Sequence, residues 1–358
     1  MLRQIARLGR AVPRAGERAL AIAVYADAAD ETVAAREAGT EGVACVDDAA
    51  RALQLYCDLW DRTRLPWARR WCEGLLDFIL GMQDDDGRFV NFILDWDGTP
   101  NREGRTSVAG GAFWQARATV ALARASRSLD DERIDLALQR GWQHVLGATE
   151  VPSDVRALHM TAAFTMLDGT ENAGLRQLLG AWSDELMACR QGGMLMNSAF
   201  ERGHPHLWGH VQEGVLADAG VLLERSDLVD AARTSADLVF AGVVTDGFDL
   251  PRTQPYDVAS SVEVLSTLSK VTGVAKYAAQ AASARSWFDG RNPAAQPVYD
   301  RSAGRVADGV DEGRVSTSSG AEANIVGAQV LLDDALTLAR GLDSHEALPA
   351  GLLQAPDS

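Results

Sequence analysis

Apolar residues return every three or four positions along almost the whole of this chain, and that period decides the fold class. Such spacing lines one face of an α-helix. It recurs over 14–27, 46–61, 66–83, 108–128, 131–147, 153–167, 172–190, 209–225, 227–243, 257–272, 274–289 and 319–341, twelve segments with few runs that read as strands. Asp47, Ser107, Asp131, Ser153 and Asp227 each precede such a run as capping residues, and Pro66 suits a first helical turn. Short connections join 61 to 66, 128 to 131 and 225 to 227. Longer ones, rich in Gly, Asp and aromatics, span 84–107, 191–208, 244–256 and 290–318. Twelve helices with alternating connections predict six helical hairpins closed into a ring, each burying its stripe against its neighbours. At about 150 residues per domain the length of 358 sets a prior of two domains. No Pro- or Ser-rich linker supports it, so the expectation is one domain over 1–345 and a flexible tail over 346–358.

Composition narrows the partners. Lys and Arg number 34 against 50 Asp and Glu, a net charge of −16. That balance repels phosphate backbones and anionic membrane surfaces, so neither nucleic acid nor membrane is an expected partner. No apolar run approaches the roughly 18 residues of a membrane-spanning helix. The basic start, Met1-Leu-Arg-Gln-Ile-Ala-Arg-Leu-Gly-Arg, is followed by Pro13, Arg14, Glu17 and Arg18 rather than by the apolar core of a secretory signal. A soluble, cytoplasmic protein is expected. Cys45, Cys57, Cys72 and Cys189 lack C-x-x-C spacing, and Cys57 and Cys72 read as small core residues, so no zinc site is expected. No phosphate loop, dinucleotide fingerprint or nucleophile elbow is present, which disfavours nucleotide enzymes and serine hydrolases. No cofactor or metal is expected, and the oligomeric state is not legible.

In a ring of hairpins, acids near the starts of alternate helices collect at one mouth, where a rigid scaffold holds a concave site. Asp47-Asp48 open the second segment, Glu213 lies early in the eighth, Asp257 begins the tenth and Glu322 begins the twelfth. The plain alternative for any one of them is helix capping, since acids in a first turn complement the helix dipole. Asp47 is the better cap and Asp48 the better ligand group. Arg51 spaces as an i,i+4 partner of Asp47.

Two loops add to this. In Asp84-Asp-Asp-Gly-Arg-Phe-Val-Asn-Phe-Ile-Leu-Asp-Trp-Asp, Asp86-Gly87 signals a turn and the alternation after it a short hairpin. Asn91, Asp95, Trp96 and Asp97 then offer amides, carboxylates and an indole face, the mixture that binds sugar hydroxyls and covers a sugar's C–H face; the alternative is a turn with solvated acids. In His204-Pro-His-Leu-Trp-Gly-His the proline and glycine make a loop without helical His-x-x-x-His geometry, so His206 and Trp208 read as structural or sugar-contacting rather than metal-binding.

The motifs Val46-Asp-Asp-Ala-Ala-Arg-Ala-Leu, Gly87-Arg-Phe-Val-Asn-Phe, Gln254-Pro-Tyr-Asp-Val-Ala-Ser-Ser-Val-Glu, Trp287-Phe-Asp-Gly-Arg-Asn-Pro, Pro297-Val-Tyr-Asp, Asp308-Gly and Gly320-Ala-Glu occur in this order. Together they resemble a bacterial family of six-hairpin glycosidase-like proteins, which often carry a glycosyltransferase-associated label. The resemblance covers about 40–335 and implies an all-α (α/α)6 toroid with a carbohydrate site at its mouth. Asp47, Asp48, Asn91, Asp257, Asp308 and Glu322 fall on its motif positions. One segment departs: Gly104-Arg-Thr-Ser-Val-Ala-Gly-Gly stands where relatives carry an acidic Ser-Glu-Asp-Ser-type stretch.

The expected function is a glycoside hydrolase acting on a neutral oligosaccharide or glycan. Two carboxyls flank the scissile bond in such enzymes. Asp48 or Glu322 is the expected acid and Asp257 or Glu213 the base, with Trp96, Trp114 and Trp208 as sugar platforms. The resemblance to toroid glycosidases, which generally invert, implies roughly 6.5–9.5 Å between the carboxyls. A sugar isomerase, epimerase or lyase working through His206 or His210 is the alternative, and a non-catalytic carbohydrate-binding protein a third. Fold alone does not choose among them.

Overall fold

The computed structural model describes residues 1–26, 32 and 41–349. Fifteen α-helices dominate the described residues, and the strands between them are two or three residues long. The chain forms two compact units.

The first unit comprises 1–148, 299–308 and the chain from 317 onward. Helix α1 (Leu2–Leu8) leads into β1 (Gly9–Ala11), a 3-10 turn at Pro13–Ala15 and β2 (Leu20–Ile22). The helix expected over 14–27 is therefore absent: Pro13 and Gly16 break the chain, and Leu20-Ala21-Ile22 pairs antiparallel with Gly9–Ala11. Strand β3 (Ala44–Cys45) feeds α2 (Val46–Thr63), followed by α3 (Pro66–Gly81). Those two helices pack through apolar faces in which Tyr56 stacks on Trp71, ring centroids 4.8 Å apart and planes 8° from parallel. Cys57 and Cys72 lie in the same core as free, fully buried thiols. Strand β4 (Phe92–Ile93) precedes α4 (Ala112–Ala125) and α5 (Glu132–Gly147).

The second unit holds 149–298 and 309–316. It contains α6 (Ser153–Leu167), α7 (Ala173–Ala188), β5 (Arg190–Gln191), β6 (Met194–Leu195), α8 (Gln212–Leu222), α9 (Ser226–Val239), α10 (Ala241–Thr245), β7 (Arg252–Thr253), α11 (Pro255–Thr272) and α12 (Ala275–Arg285). Back in the first unit, β8 (Tyr299–Asp300) pairs with β9 (Arg305–Val306); β10 (Val310–Asp311) and β11 (Arg314–Val315) join β7 in the second. The chain then forms α13 (Ala321–Val330), α14 (Leu332–Gly341) and the short α15 (Ser344–Ala347) in the first unit. Residues 346–349 of the expected tail are held: Ala347 and Leu348 are buried, and the Trp71 indole N–H donates to the Ala347 carbonyl at 2.7 Å. The remainder, 350–358, lies outside the described residues.

Among the described residues six hairpins result, α2/α3, α4/α5 and α13/α14 in one unit and α6/α7, α8/α9 and α11/α12 in the other. The number twelve stands, but its members differ. The single helix expected over 319–341 breaks at Leu331, whose backbone leaves the helical region (φ −102°, ψ 44°), and supplies the pair that 14–27 does not.

Candidate active site

A long loop positions the acids of α2. At its tip Gly87 takes φ +88°, and a Cβ there would lie 2.4 Å from the Arg140 carbonyl oxygen, so the turn admits only glycine. The chain folds back across this turn as expected: Gln83 bridges Phe89 antiparallel, and the Val90 N–H donates to the Met82 carbonyl at 3.0 Å. Phe92–Ile93 then pairs with Ala44–Cys45, at the entry to α2. This brings Asn91 to the helix start, where its carbonyl accepts from Val46 N–H (2.8 Å) and its Oδ1 from Asp47 N–H (3.1 Å). Asn91 Nδ2 donates to the Thr106 carbonyl, so the 104–111 segment, which carries no acid, serves here as backbone support.

The cap of α2 is Cys45, whose Sγ accepts from the Asp48 N–H at 3.4 Å. Asp47 is not the cap, and both aspartates are free for other work. Arg51 Nη1 contacts Asp48 Oδ1 at 3.0 Å and Asp47 Oδ2 at 3.4 Å, while its Nη2 contacts Glu322 Oε1 at 2.8 Å. One guanidinium thus gathers three carboxyls from α2 and α13. Arg117, buried on α4, makes a close pair with Asp47. Asp308 Oδ1 accepts from Gly320 N–H at 2.6 Å, just before the helix that carries Glu322.

Electrostatics separates the two adjacent aspartates. Burial opposes the charge on Asp47, but Arg117 and Arg51 outweigh it and hold its carboxyl below the usual range. Burial pushes Asp48 up to about 7; Arg51 acts against this, while the Glu322 and Asp47 carboxylates add to it. At neutral pH Asp47 is charged and Asp48 holds a proton in a substantial fraction of molecules. Glu322 is the open member, with 40% of its side chain exposed.

The other acids of helix starts have different fates. Asp257 forms a capping box, its Oδ2 accepting from Gln254 N–H at 2.8 Å. Glu213 is fully buried: its Oε1 accepts from Ser235 Oγ at 2.5 Å and faces His210 Nε2 at 2.9 Å. His210 Nδ1 meets Asn197 Oδ1 at 2.5 Å, which also accepts from Gln212 Nε2. Asp257 is thus engaged as a cap, and one oxygen of Glu213 is held by His210 and Ser235. Asp97 accepts from Thr99 N–H and Oγ1, and Asp95 Oδ1 from Trp96 N–H, both within one exposed turn. The Trp114 indole donates to the Phe89 and Val108 carbonyls, strapping the long loop to α4.

In the second unit His206 stacks on Trp208, centroids 4.1 Å apart and planes 6° from parallel, with Trp208 37% exposed. His206 Nε2 lies 3.7 Å from Oδ2 of Asp154, a buried acid early in α6. Burial lowers the imidazole below its ordinary range, against the pull of Glu201. Among the described residues no three His, Cys, Asp or Glu side chains converge as a metal cage, and no helix is long and apolar enough to cross a membrane.

Sequence reasoning missed Asp154 and also Tyr25, Asp218 and Glu263. Glu263 on α11 and Asp218 of α8 are exposed acids, each standing alone in an apolar run, as in Val262-Glu263-Val264.

No family model matches the chain, and no curated protein matches it in sequence. Solved structures do. A sugar epimerase from a ruminal bacterium superposes with a TM-score of 0.68 at 12% identity, covering 91% of this chain and 94% of that one. A D-mannose isomerase gives 0.69 at 9% identity, covering 94% and 96%. An α-mannanase of glycoside hydrolase family 76 from Bacteroides thetaiotaomicron gives 0.58 at 9% identity, covering 85% and 90%. The chain has the six-hairpin glycosidase-like fold, the all-α (α/α)6 toroid class.

Proposed function

We propose that this protein is a carbohydrate-processing enzyme, a glycoside hydrolase acting on a neutral oligosaccharide or glycan. The observation that carries the reading is the Asp48–Arg51–Glu322 cluster, in which a carboxyl raised to about 7 is bridged to a more open carboxyl by one guanidinium. Asp48 is the general acid, protonating the leaving glycosidic oxygen. Glu322 is the base that takes a proton from the attacking water, giving inversion at the anomeric carbon. Arg51 holds both carboxyls in place, and Arg117 keeps Asp47 charged, which sustains the proton on Asp48. The sugar specificities of the α-mannanase and the other structural neighbours support this class of substrate. The test is an oligosaccharide panel read by reducing-end release and by NMR of the first-formed anomer. Wild type should hydrolyse at least one substrate with inversion, and Asp48→Asn and Glu322→Gln should not; full activity in both variants would refute the assignment.

A second reading, a sugar epimerase or isomerase, rests on the His206–Asp154 pair beside the exposed Trp208. It fits the epimerase and isomerase among the structural neighbours. It calls for a new sugar without new reducing ends, with loss on His206→Asn and retention in Asp48→Asn.

A further inference from the structure

Tyr25 follows β2 in the first unit, and the residue before it is tied down on both sides. The Val24 N–H donates to the Val43 carbonyl at 3.1 Å, one residue before the strand that enters α2. The Val24 carbonyl accepts from Ala321 N–H at 3.0 Å, at the first residue of α13. A Cβ on Gly320 would lie 2.5 Å from that carbonyl oxygen, so the close approach depends on glycine there. The chain at Val24 is thereby clamped between the helix start carrying Asp47 and Asp48 and the one carrying Glu322. Tyr25, the next residue, is 40% exposed, a large aromatic presented to solvent.

The electrostatic surroundings agree with that placement. Burial of part of the ring raises the phenol, and Asp48, Glu322 and Asp308 each raise it further, so all three carboxyls lie within electrostatic range. A phenol so placed keeps its proton and donates it as a hydrogen bond. A ring face beside carboxyls is the combination that holds a pyranose, apolar C–H face on the ring and hydroxyls on the acids.

We propose that Tyr25 is a substrate-binding group of the Asp48–Glu322 site, its ring the platform for a neutral pyranoside and its hydroxyl the donor to a sugar oxygen. This rests on the carbohydrate reading above, but not on turnover. Three surrounding carboxyls disfavour uronates, so the platform selects uncharged sugars.

Two measurements test it. The first is alkaline titration of the phenol at 295 nm, taken as wild type minus Tyr25→Phe. Asp48→Asn and Glu322→Gln should each shift the Tyr25 midpoint downward, since each removes a negative neighbour; an unmoved midpoint in both overturns the placement. The second is equilibrium binding of cellobiose, mannobiose and glucuronic acid to wild type, Tyr25→Phe and Tyr25→Ala. Tyr25→Ala should weaken a neutral disaccharide by at least about tenfold through loss of the ring, and Tyr25→Phe by roughly three- to tenfold through loss of one hydrogen bond. Binding that is equal in all three, absent from wild type, or stronger for glucuronic acid overturns the proposal. Weakened binding without turnover in wild type keeps the Tyr25 platform and removes the hydrolase; turnover lost in Asp48→Asn with unchanged Tyr25→Ala binding does the reverse.

Discussion

Two helix starts, each with an acid in its first turn, end in different surroundings. Asp48 in α2 and Glu213 in α8 both lie in a first turn and both are buried. Glu213 is enclosed by His210 and Ser235, with Asn197 and Gln212 behind the imidazole, and nothing of it meets solvent. Asp48 shares Arg51 with Asp47 and with the half-open Glu322, so its proton is contested by neighbouring carboxylates. A sealed carboxyl bonded through one oxygen to His210 and Ser235 ties its neighbours together; a buried carboxyl crowded by others at an open edge is poised to give up a proton. What separates them is the company that tertiary packing delivers.

The largest expected effect breaks the comparison on the catalytic side. Asp48→Asn should lower the hydrolytic rate by about 10²–10⁴, the usual contribution of a general acid, with an unchanged far-ultraviolet spectrum. The same assay on folded Glu213→Ala should give a rate near wild type. Glu213→Ala should instead lower stability by about 3 kcal/mol, because it leaves His210 and Ser235 buried without their acceptor; urea unfolding measures this. Equal stability losses in Asp48→Asn and Glu213→Ala would erase the distinction.

Acidity provides the next test. Activity should fall on the alkaline side with a midpoint near 7, as Asp48 loses its proton. Stability follows the same group. Its folded pKa is raised, so the folded state binds the proton more tightly than the unfolded chain between about 4 and 7. Its contribution is full below about 4 and is lost as pH rises through about 7. The melting temperature of Asp48→Asn should therefore gain on wild type from pH 4 to pH 8, and a constant difference would refute the raised proton affinity. The smallest effect belongs to Asp257. As one arm of a capping box, Asp257→Ala should cost about 1 kcal/mol by thermal unfolding, with catalysis intact.

Much of the fold was legible because helical periodicity is local. Most of the helices from α2 to α12 fall within a few residues of their periodic segments. The failures were also local signals, overruled at longer range. Residues 14–22 carry apolar spacing, yet Leu20-Ala21-Ile22 gains more by pairing with Gly9–Ala11. The break at Leu331 follows no proline or glycine at that position and was invisible. The site was half legible. Asp47, Asp48, Asn91 and Glu322 stood out as polar residues at helix starts and in a long loop, and the structure gathers them around Arg51 or its helix. Arg117 and Tyr25 did not stand out, since their roles come from α4 and from the Val24 clamp, each distant in the chain from the acids they face.

By itself the sequence determined the helical class, six hairpins' worth of helix, and a set of acids at helix N-termini, because periodicity and dipole preference act within a few residues. Tertiary structure alone decided which acid is sealed and which keeps a labile proton. Capping needs only a neighbour three residues away, whereas a shifted proton affinity needs burial and charges that the fold brings from elsewhere in the chain.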